Sequence, residues 1–372
     1  MNIGIVGAGI LGRLFALACM HKGWQVTLFD KEARSSTNNC SYAAAGMLAP
    51  CSEMADHPDP AIYHWGLQSI NRWAEIIKLL PSSVYFQQAG SLCVAHTKDL
   101  PELKRFQANL QRHLPDNKQM TVMNTSELQQ LEPDLPAEFA QGLFLSSEAQ
   151  IAPFEIMQAL ENYLLQQKVV WHENCEVLTI EAFTIKTAAT ATIKQVPLSQ
   201  YSGRGVRGEG SSDRFNSVLS PKTYKFDWVI DSRGLGAKSD LPTLRGVRGE
   251  LLWLYAPGVK FTRPIRLLHP RYPIYVVPRP KNIYVVGATQ IESEDFSAIS
   301  VQSMLELLSA IYSLHKGFVE ARIIKTITQC RPAFPDNLPQ INVQAGLVQV
   351  NGLFRHGYLV APTLVDEALR RL

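Results

Sequence analysis

Long hydrophobic runs are missing from this chain of 372 residues: a stretch such as Ile10 to Met20 is short and is broken by Arg13, whereas a bilayer-spanning helix needs about 20 apolar residues. No membrane span is expected. The N-terminus opens on a strand-like pattern and lacks a basic segment followed by a cleavable apolar stretch, so a cytoplasmic location is expected and a secretory signal is not. Cysteine is scarce and scattered. Cys19, Cys40, Cys51, Cys93, Cys175 and Cys330 form no C-x-x-C pair and have no histidine cluster at ligand spacing, which argues against a metal site and a disulfide scaffold. They are expected as reduced thiols, several of them buried. A charge excess is absent too: 36 Lys and Arg face 33 Asp and Glu, and the basic residues are not gathered on one face. That leaves no electrostatic case for nucleic acid, and small molecules are the expected partners.

What is present begins with apolar bulk. At 46% hydrophobic and 19% charged, the chain is long enough for two sizeable cores. Its first thirty residues hold the strongest pattern. Asn2 to Val6 reads as a buried strand, Gly7, Gly9 and Gly12 form G-x-G-x-x-G, Leu11 to Met20 reads as a helix, and Gln25 to Phe29 reads as a second strand ending at Asp30. The glycines permit a tight turn and a close backbone approach to a pyrophosphate. The helix start supplies oriented N–H groups, and Asp30 suits a ribose hydroxyl. This pattern predicts dinucleotide binding and serves NAD and FAD alike.

A second stretch, N-N-C-S-Y-A-A-A-G-M-L-A-P (Asn38 to Pro50), packs small residues where the chain can run close to a flat ligand. Here the sequence resembles the D-amino-acid oxidase superfamily of flavoproteins, most closely its glycine oxidase branch that serves thiamine synthesis. The resemblance continues through G-V-R-G-E-L-L (Gly246 to Leu252), Y-V-V-P-R (Tyr275 to Arg279), V-V-G-A-T-Q-I-E-S (Val285 to Ser293), C-R-P-A-F-P-D-N-L-P-Q-I (Cys330 to Ile341) and V-N-G-L-F-R-H-G-Y-L-V-A-P (Val350 to Pro362). It implies an α/β fold in which an FAD-binding Rossmann-like domain of the glutathione-reductase type carries a substrate domain built on an antiparallel sheet. The implied division is discontinuous: 1–83, 147–242 and 328–372 for FAD, 84–146 and 243–327 for substrate. A stretch at 199–221, rich in Gly, Ser and Arg, is expected as an exposed loop insertion.

Between these motifs, Trp65 to Leu80, Phe154 to Gln167 and Val301 to His315 have helical spacing. Ser126 is expected to cap a short helix in S-E-L-Q-Q-L-E-P-D-L, and V-V-W-H-E-N-C-E-V-L-T-I-E-A-F alternates like a strand pair.

The resemblance also carries site residues. It implies that Gly7, Gly9, Ile10, Leu11 and Gly12 surround the pyrophosphate, that Asp30 and Lys31 reach the adenosine, and that Val177 meets the adenine side. Cys40, Ser41, Ala45, Gly46 and Met47 would border the flavin, and Leu353, Phe354, Arg355, His356, Gly357, Tyr358 and Leu359 would run beside it. Arg331 would clamp a substrate carboxylate, Arg355 would lie beside it, and Tyr275 would close over the substrate. No side chain is expected to act as acid or base. Arg355 has apolar flanks and no acid from Val350 to Pro362, so it reads as a buried cation awaiting a carboxylate. Cys330 stands one place off the position that tethers FAD in sarcosine oxidase relatives, so the implied FAD is non-covalent. The implied partners are a small amino acid and dioxygen, with a hand-off of the imine to thiazole synthase. A homo-oligomer, a sarcosine or D-amino acid oxidase, and a flavin-bearing maturation factor stay open.

Overall fold

The computed structural model describes residues 1–56, 58–188 and 221–372. The insertion expected at 199–221 therefore lies outside the described residues except for its last position. A six-stranded sheet forms the first layer. Asn2–Val6 pairs in parallel with Gln25–Phe29 on one side and Trp228–Asp231 on the other, and Val170–His172 and Leu347–Asn351 extend it. Gln340–Gln344 adds an antiparallel edge. The central strands are mostly apolar and buried because both faces are covered. Helices Ile10–His21, Pro60–Leu79, Pro153–Gln166 and Gly357–Leu369 bury Phe15, Trp73, Leu160 and Leu364 on one face. A three-stranded antiparallel sheet, Val177–Glu181, Thr184–Thr187 and Lys222–Lys225, covers the other, joining Ile185 and Phe226 to Val6 and Phe29.

The second region is an eight-stranded sheet in the order Arg322–Ala333, Arg245–Tyr255, Ile283–Gly287, Ile274–Arg279, Ile265–Leu267, Ser91–Val94, Gln141–Leu145, Met120–Asn124. Its pairs are antiparallel save one, Ile265–Leu267 beside Ser91–Val94. Helix Val301–Leu314 packs Leu307, Ile311 and Leu314 into its core. Arg322–Ala333 pairs with Arg245–Tyr255 along its whole length, from Tyr255 opposite Arg322 to Arg245 opposite Ala333. The divide expected between 327 and 328 falls inside that strand.

Three local expectations need correction. The helix expected from Trp65 starts at Pro60, because Asp59 accepts a 2.7 Å bond from the Ala61 N–H and Pro60 occupies the first turn. Asn124, not Ser126, caps Thr125–Leu131. Its side chain accepts from the Glu127 N–H at 3.1 Å while Glu127 accepts from the Asn124 N–H at 2.8 Å, a reciprocal pair that Ser126, inside the helix, cannot make. The runs Val170–His172 and Val177–Glu181 do not pair with each other but enter two different sheets.

Candidate active site

One continuous cavity of about 1080 Å³ runs from the glycine turn of the first sheet to the rim of the second. It exceeds the usual range of about 300–1,000 Å³ for a small-molecule pocket. At its nucleotide end the backbone is held in place from both sides. Gly7 turns at φ +95, and a Cβ there would lie 2.6 Å from the Ser232 carbonyl oxygen. The Ala8 N–H donates to Asp30 Oδ2 at 2.5 Å, and the Ala8 carbonyl accepts from Arg13 Nε at 2.9 Å. Arg13, only 2% exposed, is anchored in turn by the Met157 carbonyl at 2.5 Å and Glu161 at 3.1 Å. Ser41 Oγ accepts from the Ile10 N–H at 2.9 Å, which ties the small-residue loop to the helix start.

Gly7, Gly9, Ile10, Leu11, Asp30, Lys31, Cys40, Ser41, Ala45, Gly46, Met47 and Val177 all line this cavity, as do the seven residues from Leu353 to Leu359. Gly12 is the exception. A Cβ at Gly12 would come within 1.8 Å of the Gly7 carbonyl oxygen, so its role is to let the helix sit against the turn. Gly46, at φ +73, lies so close to the Ile151 carbonyl that a Cβ would stand 2.0 Å from it.

At the other end, Arg331 and Tyr275 come together with Arg355, and two arginines that look alike in sequence prove opposite in environment. Arg331 lies flat on Gly249, where a Cβ would meet its Nη2 at 2.1 Å. It donates one bond, from Nη1 to the Thr289 carbonyl at 3.2 Å, and has no carboxylate partner among the described residues. Burial pushes its pKa down. Arg355 is no unpaired cation: Nε reaches Glu53 Oε2 at 2.7 Å and Nη2 reaches Asp56 Oδ2 at 2.9 Å. Both acids stand on the helix Pro50–Asp56, about 300 residues before Arg355 in the chain. Burial opposes the charge of Arg355, but Glu53 and Asp56 outweigh it and raise the pKa. Burial likewise pushes the Tyr275 hydroxyl up against the pull of Arg331, Arg266 and Arg355, keeping it an O–H donor.

The chain matches the family described as FAD dependent oxidoreductase (DAO) across residues 2–365. It belongs to this family. Along its full length it is 35% identical to a protein of Rhizobium etli named as a thiamine biosynthesis oxidoreductase ThiO, covering 96% of that protein. A bifunctional protein ThiO/ThiG of Nostoc is 22% identical over 97% of this chain, which spans 51% of that longer protein. Among solved structures, a glycine oxidase from Geobacillus kaustophilus shares the fold with a TM-score of 0.78 at 20% identity, covering 100% of this chain and 93% of that one.

The residues of this DAO-family oxidoreductase fit FAD. The glycine turn has no room for side chains, Ser41 Oγ takes the Ile10 N–H while Gly9 offers no side chain to cap the rest of the first turn of the helix Ile10–His21, and Ile10 and Leu11 face the cavity. Asp30 already accepts from Ala8 and, at 2.8 Å, from the Glu32 N–H, yet an ionised carboxylate has further acceptor sites for a ribose. Cys330 is buried, with Sγ near the Ser293 and Asp295 carbonyls at 3.7 and 3.6 Å.

Sequence reasoning missed Glu53, Asp56, Arg266 and Gly249. Arg266 lines the cavity 3.9 Å from Asp56, and its buried Nε has no hydrogen-bond partner among the described residues. A charge set between two buried apolar residues, Ile265 and Leu267, was the available signal. Glu53 and Asp56 carried no comparable mark.

Proposed function

We propose that this oxidoreductase is a cytoplasmic glycine oxidase that holds FAD non-covalently. It would oxidise glycine to its imine and reduce dioxygen to hydrogen peroxide, and the imine would hydrolyse to glyoxylate and ammonia. The observation that carries this reading is the unpaired Arg331. Of the three guanidiniums at this end, Arg355 is paired with Glu53 and Asp56, Arg266 feels Glu53, Asp56 and Glu148, and Arg331 alone has no carboxylate among the described residues, which leaves it for a ligand carboxylate. A desolvated guanidinium gains most from a planar anion that accepts two parallel bonds. Tyr275 adds an O–H donor at the same place.

Bound FAD supplies the hydride acceptor and the route of two electrons to dioxygen. The glycine turn, Asp30, Lys31, Ser41, the Ala45 to Met47 loop, Val177 and the Leu353 to Leu359 segment would hold it. The protein's own task is orientation: Arg331 fixes the carboxylate so that the neighbouring C–H faces the flavin. The same reading assigns 1–83, 147–242 and 328–372 to FAD and 84–146 with 243–327 to substrate. The Nostoc relative that joins ThiO to ThiG in one chain supports a hand-off of the imine to thiazole synthase.

Anaerobic bleaching of the flavin tests the proposal, with glycine compared against sarcosine and D-alanine. Glycine should bleach fastest and should release peroxide when air is admitted. Preference for either rival moves the substrate, and a yellow protein that no amine bleaches would favour a maturation factor.

A further inference from the structure

Glu53 is 8% exposed and lines the cavity. Its two oxygens are used unequally. Oε2 receives Arg355 Nε and Nη2, both at 2.7 Å, and lies 2.9 Å from His356 Nε2. Oε1 has no hydrogen-bond partner among the described residues. An ionised carboxylate has about four acceptor sites, and Oε1, which is not among the buried atoms left without a partner, is open to a donor in the cavity. The carboxyl is ionised: burial pushes its pKa up, but Arg355, His356 and Arg266 together hold it well below the usual range.

Arg331, Tyr275 and Glu53 line the same cavity, and the Tyr275 hydroxyl feels the charges of both Arg331 and Glu53. Asp56 differs, since it is 42% exposed on its side chain and meets Arg355 and Arg266 from the solvent side. An unpaired guanidinium and an unpaired carboxylate oxygen on one cavity wall match an amino acid, whose acid end is an acceptor and whose amine is a donor.

We propose that Glu53 recognises the substrate's amino group, with Oε1 accepting a hydrogen bond from the amine while Oε2 stays on Arg355 and His356. The inference rests on the reading that Arg331 holds the substrate carboxylate. It goes beyond that reading by naming what selects an amine over any other small acid.

The test compares glycine with propionate, which replaces the amine by a methyl group of similar size. Glycine affinity is read from the concentration dependence of anaerobic flavin reduction, and propionate affinity from its perturbation of the flavin absorbance spectrum. In Glu53→Gln, glycine should weaken at least about 10-fold while propionate changes less than about 3-fold or tightens, because only glycine loses a charged acceptor. Equal weakening of both would show that Glu53 acts only through Arg355 and would overturn the proposal. Should Glu53→Gln fail to retain flavin, Glu53→Asp keeps the charge but withdraws it by one methylene, and the same selective loss of glycine is expected. If the wild-type flavin responds to neither ligand, the carboxylate site at Arg331 fails first and this proposal with it.

Discussion

At the nucleotide end of the cavity the contacts centre on the backbone of one stretch, Gly7 to Gly12, braced by the side chains of Asp30, Arg13 and Ser41. At the other end they are made by side chains from five separated segments, carrying Glu53 with Asp56, Arg266, Tyr275, Arg331 and Arg355. The first end is defined by space: where the Gly7 carbonyl lies against Gly12, there is room for a hydrogen and nothing larger. The second end is defined by charge balance, with Arg355 matched and Arg331 unmatched. A steric site has little room to adjust, whereas a charge network can lose one member and weaken in proportion.

Substitutions at the two ends should therefore fail differently. The largest effect is expected for Gly12→Ala, whose new Cβ would lie 1.8 Å from a backbone oxygen. A loss of more than about 4 kcal/mol is expected, seen as flavin-free or unfolded protein in the ratio of visible to ultraviolet absorbance and in thermal melting. A yellow, normally melting variant would mean that the turn can relax. Next comes Glu53→Ala, which removes the buried carboxylate that Arg355 and His356 share and leaves Arg355 with Asp56 on its solvent side. Breaking a buried pair in this way costs about 3–5 kcal/mol, measurable by denaturant unfolding.

The same residue sets a pH dependence of stability. Its folded pKa is depressed, so its stabilisation is complete above the unfolded carboxyl value of about 4.3 and is lost as pH falls through the lower folded value. Glu53→Gln should therefore flatten the acid limb of the stability curve below about pH 4, and an unchanged limb would remove Glu53 as its source.

Arg331→Ala should spare flavin content and stability but lower kcat/KM for glycine at least about 30-fold, because the substrate carboxylate loses its charged partner. Unchanged kinetics would exclude Arg331 from the site. The smallest effect is expected away from both ends. Lys186→Ala removes an exposed pair with Glu181 at 3.1 Å and should change stability by no more than about 0.5 kcal/mol.

The sequence was legible wherever neighbours in the chain are neighbours in space. Strand, glycine turn, helix and second strand follow one another in the first thirty residues, and the structure brings Gly7, Gly9 and Asp30 to one cavity. Gly12 shows the limit of motif reading: its position was right, but it serves helix packing and does not line the cavity. The cap of Thr125–Leu131 was misread because Ser126 and Asn124 both carry capping side chains, and only the reciprocal bond with Glu127 separates them.

By itself the sequence determined that this protein has a dinucleotide fold, since hydrophobic periodicity and glycine placement act over a few residues. It also marked Arg331 and Arg355 as cations set in apolar surroundings. Only the tertiary structure decided which of them is free. Coulomb interactions depend on distance in space, and the helix Pro50–Asp56 brings Glu53 and Asp56 to Arg355 from about 300 residues away, while nothing comparable reaches Arg331 among the described residues.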